Sequence, residues 1–193
     1  MSNHDVNDLI IKSYSEKVAL KHRSFVPTLA QLNEIKETAL VVLEKFPNRP
    51  FSCAPMSALL AKIIRDNTPM SAHVVAGDLD LHGRRVFGDG KGHAELSKRF
   101  NTSTIDWDGH CWVSFGNYIC DISFLRTAYA TNPSHWLHQQ VKNTFESKEL
   151  FLLFKPRSPS HTGLIYHPRY VLTDDQVCGL MNGARVIIQE GGQ

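Results

Sequence analysis

The chain has 193 residues, of which 42% are apolar and 21% charged, and 21 Lys and Arg against 19 Asp and Glu leave a formal charge of +2. That balance excludes a disordered chain, and 12 Gly with 9 Pro exclude a collagen-like or low-complexity one. So small a charge gives no electrostatic basis for binding nucleic acid or an anionic membrane, and there is no apolar run of about 18 residues to span a bilayer.

Residues 5–22 carry Val6, Leu9, Ile10 and Tyr14 at roughly helical spacing, which predicts an N-terminal helix. Pro27 interrupts it. A second helix is expected from Thr28 to Lys45, with Leu29, Leu32, Ile35, Leu40 and Leu43 facing inward. Pro47 and Pro50 then bar a continuous helix. Beyond them Met56, Leu59, Leu60, Ile63 and Ile64 share one helical face, and Asp66-Asn67-Thr68-Pro69 ends it. Pro55 fits only a first turn, where its missing N–H would have no partner anyway. The helix therefore starts near Ser52–Ala54, with Cys53 at its N-terminus.

From Met70 the pattern changes to β-branched and alternating stretches, predicting strands over Ala72–Ala76 and Leu79–Val86. Gly88–Gly92 reads as a mobile turn; it lacks the GxxxxGK spacing of a phosphate loop. A short helix or loop follows to about Phe100. Strands over His110–Phe115 and Tyr118–Phe124 flank Gly116-Asn117, a two-residue hairpin signal. Residues 127–149 are expected to be helical in part, with His135 and His138 on an exposed helix. Leu150–Phe154 reads as a short buried strand and 155–169 as a Pro-rich loop, where Arg157, His161, His167 and Arg169 make a solvated basic surface. Asp174–Asn182 is expected as a helix stopped by Gly183, and Arg185–Gln189 as a last strand. Helices first and an antiparallel sheet after read as α+β. One domain over 1–193 is expected: a helical part over 1–49, a core over 50–124, and helices and strands over 125–193.

Four cysteines stand at 53, 111, 120 and 178, with no CxxC spacing for a structural zinc site. Cys111, Cys120 and Cys178 read as small core thiols. Cys53 differs, because a helix N-terminus favours a thiolate through its unpaired N–H groups and its dipole. The same N–H groups can donate to an oxyanion as it forms. A two-residue loop at Gly116-Asn117 pairs Phe115 with Tyr118, Ser114 with Ile119, Val113 with Cys120 and Trp112 with Asp121. Asp121 then shares a face with Trp112 and His110, near enough to hold the imidazole of His110. A three-residue loop would put the two on opposite faces. Cys111 and Cys120 fall on the other face. His73 and His93 are the rival bases, and Asp108 the rival acid.

The stretches CAPMSALLAKIIRD, SAHVVAGDL and GHCWVSFGNYICDIS resemble the core of the transglutaminase-like cysteine enzymes, in the broad papain-like fold. The resemblance covers about residues 50–124. It implies Cys53 as nucleophile, His110 as base and Asp121 as orienting acid. No Gln or Trp stands shortly before Cys53, so Asn48 or a backbone N–H is the expected oxyanion donor, with Trp112 as a further substrate contact.

The expected function is thus thiol-dependent acyl transfer on a protein or peptide amide: a hydrolase, protease, deamidase or transamidase without metal or organic cofactor. A non-catalytic protein-interaction domain on the same fold is the alternative, and a histidine-based metal hydrolase a more distant one. The opening MSNHDVNDLI has no basic stretch followed by an apolar one, so a cytoplasmic location is expected, or export as an effector without a signal peptide.

Overall fold

The computed structural model describes residues 3–49, 51–101, 107–145, 149–156 and 162–191. Two helices open the chain, α1 (Asn3–Ser13) and α2 (Glu16–Ser24), where one was expected over 5–22. Ser15 divides them, its side chain accepting from the Val18 amide as a cap. Helix α3 (Leu29–Lys45) starts at Thr28 in a capping box with Gln31. Its buried side is Ile35, Ala39 and Val42, while Leu29 and Leu40, expected inside, face solvent.

Helix α4 (Cys53–Asn67) begins where Pro55 required. It buries Met56, Ala58, Leu60, Ala61 and Ile64 almost completely. At about 1.5–3 kcal/mol for each large apolar side chain removed from water, that face anchors the helix and fixes where Cys53 lies.

Then come β1 (Ala72–Leu81), β2 (Arg84–Phe87), α5 (His93–Arg99), β3 (His110–Phe115), β4 (Tyr118–Asp121), α6 (Phe124–Ala130), α7 (Trp136–Thr144), β5 (Leu152–Phe154), β6 (Leu164–Val171) and α8 (Asp174–Gly191). The strands expected over Ala72–Ala76 and Leu79–Val86 are instead one strand to Leu81 and a second from Arg84, because His82-Gly83 turns the chain, and the one expected over Tyr118–Phe124 ends at Asp121, with Phe124 opening α6. Two further expectations fail. The stretch 155–169 is not all loop, because Leu164–Val171 forms β6 along β1. Arg185–Gln189 is not a strand; α8 runs on past Gly183 because Ala184 is buried and Ile187 and Ile188 pack on the core. Arg157 and His161 lie outside the described residues.

All strand pairs are antiparallel. The ten-residue β1 has β6 along one edge from Val75 to Leu81. Its other edge carries β3 over Ala72–Gly77 and then β2 over Leu79–Leu81, so β2 and β3 lie end to end. The place where they meet is the start of β3, at His110. The order then continues through β4 to β5. One face packs against α3, α4 and α8, the other against α1, α2, α6 and α7. The chain is therefore α+β with its sheet covered on both sides.

The hairpin register is the one a two-residue loop demands, with Phe115 opposite Tyr118 and Val113 opposite Cys120. Gly116 has φ +56, and a Cβ there would lie 2.2 Å from the Phe25 carbonyl oxygen, so both turn geometry and space call for glycine.

Candidate active site

Cys53 opens α4 on one face of the sheet, and His110 opens β3 with its ring on the other. They meet at the end of the strand. The Cys53 Sγ, half-buried, lies 4.0 Å from the Gly109 carbonyl oxygen, and Cys53 and His110 line the same crevice. His110 Nε2 is 2.6 Å from Asp121 Oδ2, so the Nδ1 side of the ring is the one left for the sulfur. The sequence-derived Cys53, His110 and Asp121 are thus brought into one chain of contacts.

Asp121 is wholly buried, and such a carboxylate is tolerable only with many donors. It has them: besides His110, Tyr166 donates its hydroxyl at 2.8 Å to Oδ2, while the Ser123 and Phe124 amides donate at 3.0 Å to Oδ1. Burial would push its carboxyl up, but the His110 charge and these hydrogen bonds hold it below the usual range. Burial likewise opposes charge on His110, yet the Asp121 carboxylate, with help from Cys53, raises it from 6.5 to about 10. The neighbouring Cys111 thiol first, against desolvation, and then the His110 imidazolium hold Cys53 well below its ordinary 9.0. The lowered thiol and the raised imidazole both favour the proton on nitrogen, that is, a thiolate beside an imidazolium.

Met56 N bonds the Ser52 carbonyl as the first helical hydrogen bond, and Pro55 has no N–H. The Cys53 and Ala54 amides, by position in the first turn, have no intrahelical acceptor and point out of the helix end. Phe51 precedes them at φ 60, a conformation L-residues rarely adopt, and its ring is 73% exposed. Phe51, Phe87, Trp107, Asp108, Gly109 and Thr127 line a crevice of about 40 Å³ with Cys53 and His110. Phe87, the last residue of β2, stacks on the imidazole at 5.1 Å between ring centres. The Trp107 indole lies so close over Gly109 that a Cβ there would come within 1.8 Å of it.

Other residues fall elsewhere. Trp112, expected at the substrate, is completely buried and packs edge-on against Tyr166 at 4.9 Å. It forms the floor beneath the imidazole, because its alternation with Cys111 turns it into the sheet's second core. Asn48 is not in the crevice; it lines a separate cavity of about 550 Å³ with Leu40, Leu43, Arg126, Tyr129 and Leu150. It is drawn there because Arg126 ties the end of α3 to α6 through the Leu43, Phe46 and Pro47 carbonyls.

His73 packs near His22 and Tyr14 under α1 and α2, and His93 sits edge-on to Tyr170, so neither rival base accompanies Cys53. Asp108 lines the crevice but is exposed, and its carbonyl takes the Gly88 amide. His135 caps α7 through the Leu137 amide. Cys178, expected in the core, is exposed on α8. Among the described residues no three His, Cys, Asp or Glu converge as a metal site, and no helix is long and apolar enough to cross a membrane.

Sequence reasoning missed two participants. Cys111 faces away from His110, yet α4 packs on that same face, which puts Cys111 in the core against which Cys53 packs. Tyr166 was hidden in a stretch read as loop. Comparison with protein-family models, curated proteins and solved structures finds no match to this chain.

Proposed function

We propose that the protein is a cysteine-dependent acyl-transfer enzyme acting on an amide. The observation that carries this reading is the convergence of Cys53, at the start of a buried helix, on the crevice it lines with His110, whose ring is bonded to the buried Asp121 at 2.6 Å. Papain-like architecture is part of the same proposal; Cys-helix, His-strand and Asp-strand in that order support it.

In this reading the Cys53 thiolate attacks the carbonyl carbon, and the Cys53 and Ala54 amides receive the developing oxyanion. The C–N bond breaks as His110 gives its proton to the leaving nitrogen, forming a thioester. His110, now neutral, takes a proton from the acceptor (water or an amine), whose attack releases the acyl group and restores the thiolate. Asp121 holds the ring in one orientation throughout. The narrow crevice favours an extended chain or an exposed carboxamide side chain over a folded surface.

The test is to incubate the protein with peptides bearing Gln, Asn and internal amides, reading ammonia release, cleavage and a covalent acyl adduct on Cys53. Turnover and adduct are expected, both abolished by Cys53→Ala. Absence of any adduct across such a panel contradicts the reading. A binding role remains the second reading, favoured by the large apolar cavity beside Asn48; binding that survives Cys53→Ala without turnover in the parent protein establishes it.

A further inference from the structure

Acyl transfer needs one sulfur, but this site holds two. Cys111 is completely buried and belongs to the core under α4, and Cys53 packs against that core. Ser57, one turn along α4 from Cys53, donates its hydroxyl at 3.0 Å to the Cys111 carbonyl, which locks the helix start over this part of β3. Both cysteines thus lie between the start of α4 and the start of β3, and each acts on the other's ionisation, Cys53 lowered and Cys111 raised. No step of amide chemistry calls for a second thiol in that place.

We infer that Cys53 and Cys111 form an oxidisable pair, in which Cys53 reacts with a hydroperoxide and Cys111 closes an intrachain disulfide. The crevice above Cys53, at about 40 Å³, has room for a molecule of the size of water or hydrogen peroxide. The Cys53 thiolate attacks one peroxide oxygen and the O–O bond breaks. The departing hydroxide takes the His110 proton and leaves as water, with Cys53 now a sulfenic acid. The Cys111 sulfur then attacks the Cys53 sulfur and the S–O bond breaks. The Cys111 thiol proton leaves with the hydroxide as a second water. Two electrons pass from the sulfurs to the peroxide, and an external thiol returns them.

Cys111 also protects. It consumes the sulfenic acid before a second peroxide can convert Cys53 to the irreversible sulfinic form. The pair goes beyond acyl transfer and depends on the placement of both thiols between α4 and β3.

Protein carrying Cys178→Ser, which removes the exposed thiol, is treated with hydrogen peroxide at neutral pH and mapped by mass spectrometry. The expected product lacks two hydrogens, links the Cys53 and Cys111 peptides, resists iodoacetamide at Cys53, and recovers full labelling after dithiothreitol. With Cys111→Ser added, the expected product is Cys53 carrying two or three oxygens that dithiothreitol does not remove. A persistent sulfenic acid trapped by dimedone in the presence of Cys111, direct sulfinic acid there, or no reaction at all overturns the inference. A disulfide formed by a protein that turns over no amide leaves it standing and removes only the acyl-transfer reading.

Discussion

Tyr166 shows at the residue scale how much of this site is support. Its hydroxyl is one of the donors that keep a carboxylate ionised in a place with no water exposure. Removing one partner of a buried charge leaves it under-solvated, at roughly 1.5–3 kcal/mol for a hydrogen bond to a charged group. Tyr166→Phe is therefore expected to lower stability by about that amount, read by urea denaturation, while Cys53 keeps its reactivity. Asp121→Asn acts on the chemistry instead. An amide cannot sustain the imidazolium or fix its tautomer, and a rate loss on the order of 10³–10⁴-fold with KM little altered is expected in steady-state kinetics. Cys53, His110 and Asp121 were legible because each rests on local signals: Pro55 for the helix start, Gly116-Asn117 for the register. Tyr166 was not, because the strand that delivers it pairs with residues about ninety positions earlier.

Among the elements, the hairpin and α4 position the chemistry. Gly116→Val places a branched side chain at φ +56 and against the Phe25 carbonyl, so a loss of about 1–3 kcal/mol is expected, together with perturbed β3–β4 register visible in amide exchange. Leu60→Ala, in the middle of the α4 apolar face, is expected to cost about 2–5 kcal/mol in denaturant unfolding. Both elements could be read from the sequence because their periodicity and turn chemistry agree. Elements β6 and α8 could not. Pro168 inside β6 looked like a loop, but it stands opposite Gly77 where the register shifts, a place in a strand where a missing N–H is tolerated. Gly183 looked like a helix stop, yet Val177, Leu180, Met181, Ala184, Ile187 and Ile188 keep helical spacing against the core, and packing outweighs the glycine.

For the whole molecule, the buried histidines decide how stability follows pH. Burial lowers His22 from 6.5 to about 4 and His73 from 6.5 to about 3, so both fold neutral. Below pH 6.5 the unfolded chain takes up protons that the folded chain refuses, and stability falls from there toward pH 3. The Cys53 thiolate adds to that loss, because the unfolded chain carries a thiol there. His110 alone would contribute stability below pH 6.5 and lose it as pH rises toward 10. Between 6.5 and 9.0, however, the raised His110 loses stability with rising pH while the lowered Cys53 gains it, so the two slopes oppose each other. Thermal melts across pH are expected to show a plateau over that range and a steep acid side, shallower in His22→Gln. The position of the proton within the Cys53–His110 pair also governs the chemistry. Alkylation of Cys53 by iodoacetamide, followed by peptide mapping from pH 4 to 10, measures it directly. The expected rate is half-maximal well below pH 9.0 in the native chain and moves upward in His110→Ala. A half-maximal rate near 9.0 in both proteins would mean an ordinary thiol, and the paired thiolate on which the enzyme reading stands would not exist.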